Sequence, residues 1–185
     1  MIFGERLRFR AIERDDLPIF VKWLNDPDVK PGIGVYLPFS IADEEEWYRV
    51  MNERTASEHN LAIELKEMTQ QGEETWKLIG SCGFFNYDQR NASAEFGIMI
   101  GEKSYWNKGY GTEAVQLLTK HGFQTINLHR IYLRVLETNP RAIRAYEKAG
   151  FTHEGRQRQA DYKEGKYIDF LVMSMLQEEF KIQWP

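Results

Sequence analysis

The chain has 185 residues, 42% of them hydrophobic and 28% charged, with a formal net charge of −4. That balance suits a globular protein with a real core, gives no footing for direct nucleic-acid binding, and contains no apolar run long enough to span a bilayer. One cysteine, Cys82, excludes an internal disulfide and suits a reducing cytoplasm; the first ten residues lack the apolar block of a signal peptide.

Leu7, Phe9 and Ala11 alternate with Arg6, Arg8 and Arg10, the two-residue period of a half-buried strand. Asp15 to Leu24 reads as a helix with Leu17, Phe20, Val21 and Leu24 on one face, stopped by Asn25-Asp26-Pro27. Val29 to Phe39 holds Pro31, Gly32, Gly34 and Pro38 and reads as a loop. Its Tyr36 and Phe39 are unusual weight for a plain connector. Ser40-Ile-Ala-Asp43 resembles a capping box and opens a helix to about Arg54. Asp43 to Glu46 reads first as compensation of the helix dipole, and secondarily as an acidic lip for an amine.

His59 to Leu65 and Lys77 to Phe85 read as strands joined by a polar loop, Glu67 to Thr75. Ala94 to Gly101 is a strand, Gly109 to Thr125 a helix, Arg130 to Leu136 a strand, and Pro140 to Ala149 a helix. Phe151 to Ala160 and Tyr167 to Met175 are strands around a hairpin signal at Lys163-Glu164-Gly165-Lys166. No repeat, low-complexity tract or linker divides the chain, so one domain over residues 1–185 is expected. The fold class is α/β (α+β), a mixed, mostly antiparallel central sheet flanked by helices.

The most informative segment is Ser104 to Ala114, between an apolar strand and an apolar helix. Gly109 and Gly111 stand where that helix should begin. The first N–H groups of a helix lack internal partners and lie at its positive end. Glycine lets an anion approach them closely, so the segment reads as a phosphate cradle. It is not a Walker A loop, because no Gly-Lys-Ser/Thr follows a four-residue gap. Gly109-Tyr-Gly111-Thr-Glu-Ala114 meets the loose dinucleotide pattern, with Glu137 as ribose-binding acid. Glu102 to Lys108 separate it from the strand, which ranks the nicotinamide reading lower.

In the second constellation, Glu137 to Phe151, Asn139 suits a helix cap, Pro140 the first turn and Gly150 the helix end. Tyr146 lies about two turns beyond Asn139 and returns to its face. A phenol there can donate a proton to a leaving group.

Together, Tyr105-Trp-Asn-Lys-Gly-Tyr-Gly-Thr-Glu-Ala114 and Asn139-Pro-Arg-Ala-Ile-Arg-Ala-Tyr-Glu-Lys-Ala-Gly-Phe151 resemble the signature motifs of the GNAT superfamily of acetyl-CoA-dependent N-acetyltransferases. Leu24-Asn-Asp-Pro27, the hairpin near Gly165 and Tyr167-Ile-Asp169…Met173 are similar to the branch holding ribosomal-protein N-terminal acetyltransferases and spermidine acetyltransferases. Trp106 stands where the superfamily often has Gln or Arg. The resemblance implies that backbone groups of Ile98, Met99 and Ile100 pair with the pantetheine arm of acetyl-CoA as a pseudo-strand. It implies that N–H groups of Asn107, Lys108, Gly109, Tyr110, Gly111 and Thr112 hold the pyrophosphate, that Asn139 bonds the cofactor's arm, and that Tyr146 protonates the departing thiolate.

A thioester is already activated, so no covalent enzyme nucleophile is required. The acceptor amine must lose a proton before it attacks. Glu95, at the start of the strand that leads to the cofactor, is the candidate base; a solvent-facing carboxylate is the alternative. A strand N–H near Met99 is the candidate oxyanion donor. The expected acceptor is a protein N-terminal α-amine of the ribosomal-protein type; the alternative is a polyamine or other small amine. More remote readings are an acyl-CoA sensor and a nicotinamide-dependent oxidoreductase. A homodimer is compatible with this reading.

The other tempting residues read as structural. Cys82 is a small buried hydrophobe. His59, His121, His129 and His153 lack metal-ligand spacing, so no metal is expected. Arg156 and Arg158 alternate on a solvated strand face, and Trp23, Trp47, Trp76 and Trp184 are packing residues.

Overall fold

The computed structural model describes residues 1–183, so Trp184 lies outside the described residues. Eight strands form one sheet: β1 (Ile2–Phe3), β2 (Leu7–Ala11), β3 (Leu61–Met68), β4 (Glu74–Asp88), β5 (Ser93–Ile100), β6 (Arg130–Leu136), β7 (Thr152–Lys163) and β8 (Lys166–Leu176). Their spatial order is β1-β2-β3-β4-β5-β6-β8-β7. All neighbours are antiparallel except β5 and β6. The helices are α1 (Leu17–Leu24), α2 (Ile41–Asn52), α3 (Tyr110–Gln124), α4 (Pro140–Lys148) and α5 (Gln177–Gln183).

Strand alternation divides the core between the two faces of the sheet. Leu7, Phe9, Ile63, Ile98 and Ile100 pack with α3 and α4 residues such as Val115, Leu118 and Tyr146. Ala62 and Met99 turn the other way, toward Leu17, Phe20 and Trp23 of α1 and Met51 of α2. Helices α1 to α4 therefore each present one apolar stripe to the sheet, as their sequence period requires. On β2, Arg8 and Arg10 bond Glu64 at 2.6 and 2.8 Å, and Arg10 reaches Asp16 at 2.6 Å. A nearly buried carboxylate is thus held between two guanidinium groups.

Several boundaries differ from the sequence reading. The helix expected from Asp15 starts at Leu17, because Arg14–Asp16 form a 3-10 turn. The polar loop expected over Glu67 to Thr75 shrinks, because Met68 pairs with Glu74 and extends the ladder. β1 is too short to show a period, and α5 follows β8 without a break; its Phe180 rests against Phe123 at 5.3 Å between ring centres. The hairpin is built as expected: Glu164 and Gly165 both take left-handed φ, 51° and 80°, which suits the twist of the flanking strands. β7 runs on to Lys163, three residues beyond the Ala160 expected; nearly every residue is exposed, so no apolar alternation marks its length.

Candidate active site

β5 and β6 pair only where Ser93–Glu95 meet Arg130–Tyr132. Beyond that they part, β5 running to Ile100 and β6 to Leu136. Parting leaves the inner-edge backbone groups of both strands without a neighbour. A cleft of about 430 Å³ fills the opening, within the range of small-molecule sites.

Hydrogen-bond alternation decides which groups face the gap. Gly101 N–H donates to Ile79 O at 3.0 Å, so Gly80 and Ile100 are a non-hydrogen-bonded pair. The backbone groups of Ile100 and Ile98 therefore turn away from β4, into the gap. Those of Met99 turn toward Ser81 and are spent in the sheet. This corrects the expectation that Met99 offers backbone groups or the oxyanion donor. Trp106 Nε1 donates to Ile100 O at 2.7 Å, closing one end of the gap.

β5 leads into the glycine turn and α3. Asn107 and Gly109 take φ of 59° and 85°, the left-handed region, which turns successive N–H groups toward one concavity. Among the described residues, no backbone N–H from Asn107 to Thr112 has a hydrogen-bond partner. Asn107, Gly109, Gly111 and Thr112 line the cleft; Lys108 and Tyr110 do not. The Lys108 ammonium lies over the Tyr105 ring and Tyr110 lies under the Arg6 guanidinium, so both side chains turn outward. A cradle of unsatisfied donors fits a diphosphate.

α4 forms the opposite wall. Asn139 caps it, its Oδ1 accepting from Ala142 N–H at 3.2 Å, while its Nδ2 donates to Gly32 O at 3.5 Å. Tyr146 is 8% exposed, packs edge-on to Phe96 at 6.0 Å and lines the cleft. Its hydroxyl has no partner among the described residues, and burial pushes the phenol pKa well up, so it stays protonated at neutral pH.

Glu95 also lines the cleft, but it is not solvent-facing: it is 4% exposed. Its Oε1 accepts from Arg134 Nε at 2.8 Å and its Oε2 from Asn86 Nδ2 at 2.8 Å. These bonds hold the carboxylate in place and leave a lone pair on it free to take a proton.

The other motifs find structural roles. Arg156 bonds both Glu137 and Asp169 at 2.9 Å, which removes Glu137 from the ribose role. Cys82 is buried, and burial pushes its thiol pKa up. Trp23 is core, Trp47 packs at the α1–α2 face, and Trp76 lies under Arg8 at 4.3 Å. In the acidic run, Asp43 completes the capping box with Ser40 and Glu46 pairs with Arg49. Glu44 instead turns inward, and burial pushes its carboxyl up to about 7.

The Acetyltransferase (GNAT) domain family matches residues 6–152. The chain belongs to this family. It is 30% identical over 182 residues to the uncharacterized N-acetyltransferase p20 of Bacillus licheniformis, covering 97% of each chain. It is 29% identical over 177 residues to a spermidine N(1)-acetyltransferase of Vibrio cholerae serotype O1, covering 96% of each. The crystal structure of a Vibrio cholerae spermidine N-acetyltransferase in complex with CoA and spermine matches with a TM-score of 0.83 and 28% identity, over 96% of this chain and 99% of that one.

The protein is thus a GNAT-fold N-acetyltransferase with acetyl-CoA as co-substrate. No helix among the described residues is long and apolar enough to cross a membrane. Sequence reasoning passed over several residues of this GNAT cleft. Arg134 pairs with Glu95 from 39 positions away, so no local pattern joins them. Arg141, Arg144 and Lys148 also line the cleft; their i, i+3, i+7 spacing on a helix face was the available signal. The Arg141 guanidinium stacks 3.4 Å from the Trp106 ring centre, and burial lowers its pKa.

Proposed function

We propose that this N-acetyltransferase moves acetyl from acetyl-CoA directly to a small amine of the polyamine class. The observation that carries the reading is the strand opening that runs from unpaired β5 backbone groups to the donor cradle at α3, with the Tyr146 hydroxyl on the facing wall. The relatives named above for spermidine match over almost their whole length, which favours a small amine over the protein N-terminus expected first.

In this reading the pantetheine lies as a strand against Ile98 and Ile100, and N–H groups from Asn107 to Thr112 hold the pyrophosphate. Arg141, Arg144 and Lys148 add positive charge along the same path. Asn139 is committed to capping α4, and its Nδ2 is the part free to exchange Gly32 O for the cofactor's arm. The amine enters beside Glu95, the only carboxylate lining the cleft among the described residues. Glu95 takes its proton through one water. The neutral amine attacks the thioester carbonyl, and a gap-facing N–H of Ile98 or Ile100 stabilises the oxyanion. The intermediate expels the thiolate, which Tyr146 protonates. The nitrogen of the intermediate gives its second proton to water, Tyr146 regains its own from water, and the products are one amide, one free thiol and one proton.

A thiol-release assay with acetyl-CoA tests this against spermidine, spermine, other amines and N-terminal peptides. Turnover with the polyamines is expected. Turnover with peptides alone restores the N-terminal reading, and tight cofactor binding with no turnover on any acceptor makes the protein a sensor.

A further inference from the structure

The loop between α1 and α2 forms part of the cleft through Gly32, Ile33 and Gly34. No strand of the sheet pairs with it, although its Val29 packs into the core beside Ala62 and Met99. Its base is tied by Asn25, whose side chain donates to Phe39 O at 2.7 Å and accepts from Phe39 N–H at 2.9 Å. Its cleft-facing end is tied by a residue remote in sequence. The Lys163 ammonium donates to Lys30 O at 3.0 Å, Pro31 O at 2.8 Å and Ile33 O at 3.0 Å. Asn139 Nδ2 takes the carbonyl between them, Gly32 O. Four consecutive carbonyls thus point at two side chains.

An ammonium has three donors, and all are spent here on backbone oxygens. Lys163 makes no ion pair with a carboxylate among the described residues, so the loop carbonyls are its direct partners. Burial holds its pKa below the usual lysine range, although Asp161 and Glu164 pull it upward. Lys163 is the last residue of β7, paired with Lys166 across a tight two-residue turn, so its stem starts from a rigid place.

We propose that Lys163 is a positioning residue for the acceptor amine: by gathering the carbonyls of Lys30, Pro31 and Ile33 it fixes the loop that walls the acceptor side of the cleft. The assignment of that wall to the acceptor rests on the proposed function. Lys163 does not line the main cleft, so it touches neither the thioester path nor the donor cradle. Its effect is carried through the loop backbone.

The test is Lys163→Met, which keeps the apolar stem and removes the donors, with Lys163→Arg as the conservative variant. Lys163→Gln replaces the Met variant if that one does not fold. Amide hydrogen exchange of residues 29–39 is measured beside amine KM and CoA affinity. Three outcomes together support the latch: faster exchange in that segment, an amine KM raised on the order of tenfold or more, as loss of the three charge-assisted hydrogen bonds that hold the loop predicts, and unchanged CoA affinity. Partial recovery with Lys163→Arg adds to it. Unchanged exchange overturns the latch. Faster exchange with an unaltered amine KM overturns the positioning role. A wild type silent with every amine sinks the proposed function instead, and exchange still decides the latch.

Discussion

The two ends of the cleft are built in different ways. The cofactor end is one continuous piece of chain, from β5 through the glycine turn into α3, and it offers mainly backbone N–H groups. The end proposed for the acceptor is assembled from distant pieces: Glu95 held by Arg134, and the α1–α2 loop, which the tip of the β7–β8 hairpin ties from outside the cleft. Backbone groups are common to every sequence, so the first end can be specified by a few residues that shape the turn. Side-chain recognition needs groups gathered by folding, so the second end is where specificity can change without harming cofactor binding.

The largest effect is expected at Tyr146. Tyr146→Phe is expected to lower turnover on the order of a hundredfold, the scale of general acid catalysis, with CoA affinity unchanged by calorimetry. Equal turnover with limiting chemistry removes the proton donor. Gly109→Ala strikes the cofactor end alone. The new Cβ has room, with Arg6 Nη2 at 3.5 Å, but φ of 85° is strained for any L side chain. Acetyl-CoA affinity should fall about tenfold, while the ratio of rates among amines stays fixed. A changed ratio would show that the two ends are not separable.

Glu95→Gln sharpens the acceptor end. The acidic limb of the pH–rate profile should move; an unmoved limb hands proton removal to water or another group. The smallest effect is expected at Glu44, outside both ends. Its folded pKa, about 7, lies above the ordinary glutamate value of 4.5. The folded state therefore binds the proton more tightly, and stability falls as pH rises from 4.5 through 7. Glu44→Gln should gain roughly 1–3 kcal/mol relative to wild type between pH 5 and pH 8, read from denaturant midpoints at both pH values. A pH-independent difference would place Glu44 in contact with water.

Much of the cofactor end was legible. The glycines at 109 and 111, the cap at Asn139 and the phenol at Tyr146 fall within short stretches whose helical period alone sets their faces. The role of Met99 was misjudged, because the side on which a strand residue spends its N–H depends on register with β4. At the acceptor end little was legible. Glu95 looked like any strand carboxylate until Arg134 and Asn86 met it, and Lys163 read only as a hairpin residue. Glu44 stood in a run of four acids, and only the tertiary fold turns it inward.

The sequence by itself determined the elements, the hairpin, the anion cradle and the family, since each is written in contacts within a few residues along the chain. Only the tertiary structure decided where β5 and β6 part, which backbone groups face that opening, and what walls its far side. Those features join residues up to 133 positions apart, and such pairs are set by how whole elements stack, a property that no local period carries.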